Sequence, residues 1–221
     1  MKYNTVVITG SNGATAQGLI RYFSTISDSV IGLARKQKVE FNEGNVTVLE
    51  ADMSDYSSVH SISMDIMEQY QSIDVWINCV GGFAMGSSIK DDRENWNKMF
   101  EINFLTCLNG SQVALAHMCK QGRGNIINIG SQAAINGFPD AAPYLVSKSS
   151  VHMLTRMIAL ENSGSNINAN VILPGVIDTD ANREAMPNED FSAWQTPLKI
   201  AQIIEQTIDS NESGLLVTVD K

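Results

Sequence analysis

Short apolar runs rich in β-branched residues recur along the chain at 6–8, 30–33, 46–49, 75–77, 126–129, 171–173 and 215–217. They are continuous rather than alternating, the pattern of strands covered on both faces of a parallel sheet. Between them, residues 14–26, 55–71, 95–121, 143–162 and 197–210 carry a helical period. This βα alternation predicts an α/β fold: a Rossmann-type, doubly wound parallel sheet of about seven strands with right-handed crossovers and helices on both faces. Segment 144–161 is apolar nearly all round, through Leu145, Val146, Val151, Met153, Leu154, Met157, Ile158 and Leu160. Such a helix is buried on more than one side, either wholly in the core or with one side against a second subunit. The least regular stretch, 178–196, has the length of a substrate lid. With no repeat or linker, residues 1–221 are expected to form one domain.

Composition narrows the function. The 221 residues are 43% hydrophobic and 18% charged, as in a globular protein. Fifteen basic against 24 acidic side chains give a net charge of −9, which repels a polyphosphate backbone and disfavours nucleic acid as a partner. No apolar run approaches the ~20 residues that span a bilayer, and the start lacks a signal-peptide pattern, so a cytoplasmic protein away from membranes is expected. Cys79, Cys107 and Cys119 are odd in number and far apart, as reduced core thiols would be. His60, His117 and His152 are not grouped at metal-ligand spacing, and no metal site is expected.

The first strand runs into Thr9-Gly10-Ser11-Asn12-Gly13-Ala14-Thr15-Ala16 and then a helix. A tight turn poor in side chains lets backbone N–H groups and a helix N-terminus face a pyrophosphate, although a purely structural turn has the same look. At the second strand's end, where an acid would select NADH, the chain reads Ala34-Arg35-Lys36, with Lys38 nearby. A guanidinium there can fork onto a 2′-phosphate, which favours NADPH/NADP+ over NADH; solvated loop cations are the plainer reading.

Tyr144 and Lys148 stand four apart on a helix and share a face. A nearby ammonium would lower a phenol's pKa from about 10 and suit it to acid–base work. Ser131 ends the strand-like run 125–130, where open α/β sheets place their ligand crevice.

In this order, Thr9-Gly10, Asp52, Asn78-Cys79-Val80-Gly81, Asn103, Ser131, Tyr144 with Lys148, and Pro174-Gly175 followed by Thr179 resemble the short-chain dehydrogenase/reductase family over essentially the whole chain. The resemblance implies hydride transfer between a nicotinamide and a carbonyl or alcohol. Tyr144 would be the general acid, Ser131 a donor to the same oxygen, Lys148 the tyrosine's modulator and ribose ligand, and Asn103 the holder of a relay water. Cofactor contacts would come from Thr9 to Ala14, Arg35, Lys36, Asp52, Met53, Asn78, Val80, Gly81, Tyr144, Lys148, Pro174, Gly175, Val176 and Thr179. It also implies a homodimer or homotetramer through helices 95–121 and 143–162.

Departures from the pattern carry information. Ala14 and Ala16 replace family glycines, and Gly10 and Gly13 followed by Ala14 resemble the dihydropteridine reductase branch. Gly81-Gly82-Phe83-Ala84 and the stretch from Asp178 through Trp194 to Pro197 are also similar to that branch, with Phe83 and Trp194 as candidate walls for a flat substrate. Ser131 and Arg35 depart from it, since that branch has alanine and an NADH-selecting acid there. An NADPH-dependent carbonyl reductase is therefore expected first and reduction of a quinonoid dihydropterin second. A non-catalytic NADP-binding sensor is the alternative from another class.

Overall fold

The computed structural model describes residues 1–90 and 92–219; the expected extent 1–221 also includes Asp91, Asp220 and Lys221, which lie outside the described residues. Each apolar run becomes a strand: β1 (Tyr3–Thr9), β2 (Ser27–Ala34), β3 (Val46–Glu50), β4 (Val75–Asn78), β5 (Gly124–Ile129), β6 (Ile167–Leu173) and β7 (Leu216–Thr218). They form one parallel sheet in the order β3-β2-β1-β4-β5-β6-β7. Order reverses between β1 and β4, and that switch point opens a crevice at the carboxyl ends of the strands.

Continuous apolar runs are needed because both faces are covered. On one face α1 (Ala14–Ser24) and α8 (Pro197–Asp209) set Leu19, Phe23, Ile200 and Ile204 against Val6, Ile8 and Ile77. On the other, α2 (Tyr56–Tyr70) and α4 (Thr106–Gln121) set Val59, Ile66, Val113 and Met118 against Val7, Ile31, Trp76 and Ile126. Local signals fix the helix ends. Asp55 accepts from Ser57 N and Ser58 N to cap α2, Thr196 caps α8 ahead of Pro197, and left-handed Gly122 ends α4.

The expected helix 95–121 is interrupted. It is built as α3 (Arg93–Met99), a π-helical turn Phe100–Leu105, and α4. Wider turns of this kind rephase the side chains that follow, and this one holds Asn103. Three short elements escaped the period because each is barely a turn or two long: α5 (Ala133–Asn136), α7 (Asp180–Ala185) and a 3₁₀ turn at Phe191–Ala193. Helix α6 (Ala142–Glu161) buries Leu145, Val151 and Ile158, whereas Val146, Met153, Met157 and Leu160 are exposed.

Two buried asparagines, one at the end of β4 and one in β5, are satisfied through each other and their neighbours. Asn78 accepts from the Trp76 indole at 2.9 Å and donates to Ser111 Oγ at 3.0 Å and to Asn128 Oδ1 at 2.8 Å; Asn128 donates on to Thr155 Oγ1 at 2.9 Å. This chain ties β4 and β5 to α4 and α6 behind the crevice. Among the described residues no helix is long and apolar enough to cross a membrane, and no group of three or more His, Cys, Asp or Glu is placed to share a metal ion.

Candidate active site

The first half of the crevice starts where β1 turns into α1. Gly10 has φ +78°, a conformation that disfavours side chains, and its N–H together with that of Ser11 donates to Leu33 O at 2.7 and 3.0 Å. Gly13 precedes α1 without a side-chain cap, so the helix's first N–H groups keep their capacity for an anion. A cleft of about 690 Å³ runs from Gly10, Asn12 and Gly13 past Arg35, Lys36 and Lys38 to Asp52, Met53, Val80 and Gly81. Among its described lining residues are four cations, Lys98 being the fourth, and two acids, Asp52 and Glu101. Asn12 braces the cationic loop, donating to Lys36 O at 2.8 Å and accepting from Lys38 N at 2.9 Å. The Asp52 carboxyl is held below its usual range by hydrogen bonds from Ser54, with the Arg35 charge adding to the effect. This donor set fits a ligand with several phosphates.

The second half lies at the end of β5. Ser131, buried, follows the strand; Tyr144 and Lys148 project from α6. Burial pushes the Tyr144 phenol up, opposed by the nearby Ser131 hydroxyl, and Phe83 meets its ring edge-on at 4.9 Å. Lys148 is likewise buried, its pKa lowered by burial, and its Nζ donates to Ile129 O at 2.8 Å. Burial pushes the Cys79 and Cys107 thiols up to about 12, so beside Lys148 they stay neutral and supply no counter-charge. Asn103 exchanges two hydrogen bonds with the Gly82 backbone, both 3.0 Å, and donates to Ser147 Oγ at 3.1 Å. A phenol, a hydroxyl and an ammonium thus face the switch point together, which is the equipment for protonating an oxygen that gains charge.

Comparison with known proteins decides the family. The short chain dehydrogenase profile matches residues 4–190. This chain belongs to the short chain dehydrogenase family. It is similar to 3beta-hydroxysteroid dehydrogenase 1 of Eggerthella lenta, 28% identical over 203 residues that span 87% of this chain and 78% of the relative. It is also similar to 2-dehydro-3-deoxy-D-gluconate 5-dehydrogenase of Bacillus subtilis, 30% identical over 186 residues, or 81% and 73% of the two chains. Among solved structures, ElxO with NADP bound superposes with a TM-score of 0.91 at 26% identity, covering all of this chain and 98% of that one.

Within this short chain dehydrogenase not every expected site residue reaches the crevice by its side chain. Thr9 Oγ1 instead accepts from Cys79 N and Val80 N at 3.0 and 3.3 Å, clamping the end of β4 to β1. Ser11 is buried against Gly32, Asn78 is consumed by the buried amide chain, and Ala14 is exposed at the start of α1. Thr179 caps α7 by accepting from Asn182 N. The loop Pro174–Gly175–Val176 is held by buried Gln195, which accepts from Gly175 N at 2.7 Å and donates to Val219 O. Backbone bonds between Val176, Asp178 and Gln195 close the base of segment 178–196. In that segment Trp194 packs on Phe191 at 4.6 Å, with Arg183 over the Phe191 ring, while the neighbours of Phe83 are Tyr144 and Phe138. The lowering of the tyrosine pKa expected from Lys148 is not the direction found: desolvation raises it, the opposing cause is Ser131, and the Lys148 ammonium is engaged by Ile129 O. Sequence reasoning missed Gln195 and His152. The first stands in the irregular segment, and the second shows only as a third residue on the Tyr144–Lys148 helix face.

Proposed function

We propose that the protein is an NADPH-dependent reductase of a small carbonyl compound, with Tyr144 as proton donor. The observation that carries this is Tyr144 itself, a half-buried phenol kept protonated, beside the Ser131 hydroxyl and one helical turn from the buried ammonium of Lys148. Bound NADPH would supply the hydride. Ser131 and Tyr144 would donate to the carbonyl oxygen as charge builds there, and the Tyr144 O–H would then give its proton. Lys148 would hold ribose hydroxyls, satisfying a charge that is costly to leave alone. Arg35, Lys36 and Lys38 would take the 2′-phosphate, and the α1 N-terminus the pyrophosphate. ElxO, with NADP bound, is a similar protein that supports this choice of cofactor. Segment 178–196 would serve as lid over the substrate, and the exposed α6 face of Val146, Met153, Met157 and Leu160 would pair with a second copy.

A second reading, reduction of a quinonoid dihydropterin, draws on one contact group. Phe83, flanked by Phe138 at 6.5 Å and meeting the Tyr144 ring, offers a flat aromatic wall. The test is NADPH consumption with a panel of ketones, aldehydes, quinones and quinonoid dihydropterin. Turnover of simple carbonyls is expected. A response to the pterin alone would reverse the order, and tight NADPH binding without any turnover would leave a binding protein.

A further inference from the structure

Strand geometry leaves two main-chain groups without a strand partner at the end of β5, and α6 satisfies both. Gly130 N and Gln132 N donate toward β6, to Ile172 O and Pro174 O at 2.8 and 2.9 Å. Alternation along the chain turns the Ser131 N–H and the Ile129 C=O to the opposite side, toward β4. There, however, β4 has already ended: its last pair with β5 is Asn78 with Asn128. A buried backbone group in that position needs a substitute partner. Ile129 O receives Lys148 Nζ, and Ser131 N donates to His152 Nε2 at 3.3 Å. Tyr144, Lys148 and His152 are spaced four apart, so one face of α6 carries all three. His152 is 7% exposed, and its ring is admitted by Gly130, where a Cβ would lie 2.5 Å from Nε2.

We infer that His152 is the positioning residue for Ser131, fixing through its backbone N–H where the serine hydroxyl meets Tyr144. This rests on the carbonyl-reductase reading for its catalytic consequence, while the contact itself does not. The bond requires a neutral imidazole with its proton on Nδ1. Burial, with Lys148 adding to it, pushes the His152 pKa down to about 4, which keeps the ring neutral across ordinary conditions. His152 touches no reacting atom; its effect runs through the serine.

The experiment compares wild type, His152→Gln, which keeps an acceptor near the Nε2 position, and His152→Leu, which keeps bulk without one. Three readouts apply: hydrogen exchange at the Ser131 amide, the Nδ1–H tautomer signature in nitrogen NMR, and steady-state kinetics with the carbonyl compound that wild type reduces fastest. His152→Leu should exchange the Ser131 amide roughly tenfold faster. It should also lower kcat about 10- to 100-fold with the KM for NADPH unchanged, the range expected when a reacting group is slightly misplaced. His152→Gln should restore most of both. Equal exchange rates in wild type and His152→Leu, an Nε2–H tautomer, or a kcat in His152→Leu equal to wild type would overturn the inference. Should wild type reduce no carbonyl, the reading of function fails by itself, and exchange with the tautomer still decides whether His152 holds Ser131.

Discussion

The two halves of the crevice are built on opposite physical terms. Around Gly10, Arg35 and Lys36 the site is open, cationic and made of loops, with recognition spread over backbone N–H groups and screened charges. Around Ser131, Lys148 and Asn103 it is buried and made of side chains held on helices and strand ends. Exposed charges contribute little individually and fade with salt, whereas a buried polar group gains its full strength in a low-dielectric setting and is expensive to leave unpaired. On the proposed reading, the first half can therefore drift by substitution and retune its cofactor, while the second should fail when one member is lost.

The largest effect follows from removing the phenol. Tyr144→Phe keeps the ring against Phe83 and should lower carbonyl reduction by roughly 10²- to 10⁴-fold, the usual worth of a positioned acid, with NADPH affinity within about twofold of wild type by fluorescence titration. A residual rate near wild type would show the proton coming from elsewhere. Because burial raises this phenol above its ordinary 10, it stays protonated through neutral pH. The wild-type reduction rate should accordingly hold level across neutral pH and fall only on the alkaline side of 10.

The buried half also makes the fold sensitive to acid. His152 titrates near 4 in the folded protein against 6.5 for an ordinary histidine. Between those values the unfolded chain binds a proton that the native state refuses, so this contribution to stability is complete above 6.5 and is lost as pH falls toward 4. The loss amounts to about 3 kcal/mol at most. Burial also lowers His117, packed on Ser63, and its effect has the same sign. Denaturant unfolding at pH 7.5 and pH 4.5 should therefore show a smaller drop for His152→Gln than for wild type. Equal drops would mean that His152 is not held neutral.

Legibility in the sequence divides along the same line. The sheet was readable because strands covered on both faces must be continuously apolar, and 75–77 or 171–173 can hardly be anything else. The glycine turn and the place of Arg35 in the cleft were readable because both are local features: a left-handed glycine after β1 and a cation just past β2. Tyr144, Lys148 and Ser131 needed the family resemblance as well, since spacing four apart is common. What stayed hidden depends on register. Whether Asn78 faces the crevice or the amide chain, and whether His152 meets a main-chain donor, is set by where β4 stops relative to β5. The π-helical turn at Phe100–Leu105 was hidden too, because a single wide turn rephases the helix over too few residues for a period to reveal it, and Asn103 within it meets Gly82.

The smallest effect tests the open half, where Asn12 is the revealing position. Its amide bridges Lys36 O and Lys38 N and so holds the cationic loop against the glycine turn, without itself carrying charge. Each exposed hydrogen bond of this kind contributes about 1 kcal/mol or less. Arg35→Ala should weaken NADPH binding by roughly tenfold, leave NADH unchanged and flatten the dependence of NADPH affinity on salt. Asn12→Ala should weaken NADPH by only about threefold with the salt dependence intact, because the charges remain and only their placement loosens. Calorimetric titration of both cofactors at two salt concentrations separates the cases. If Asn12→Ala weakened NADH as much as NADPH, the residue would be serving the pyrophosphate turn instead of the loop beyond it, and the open half would be one rigid unit where this structure has two braced pieces.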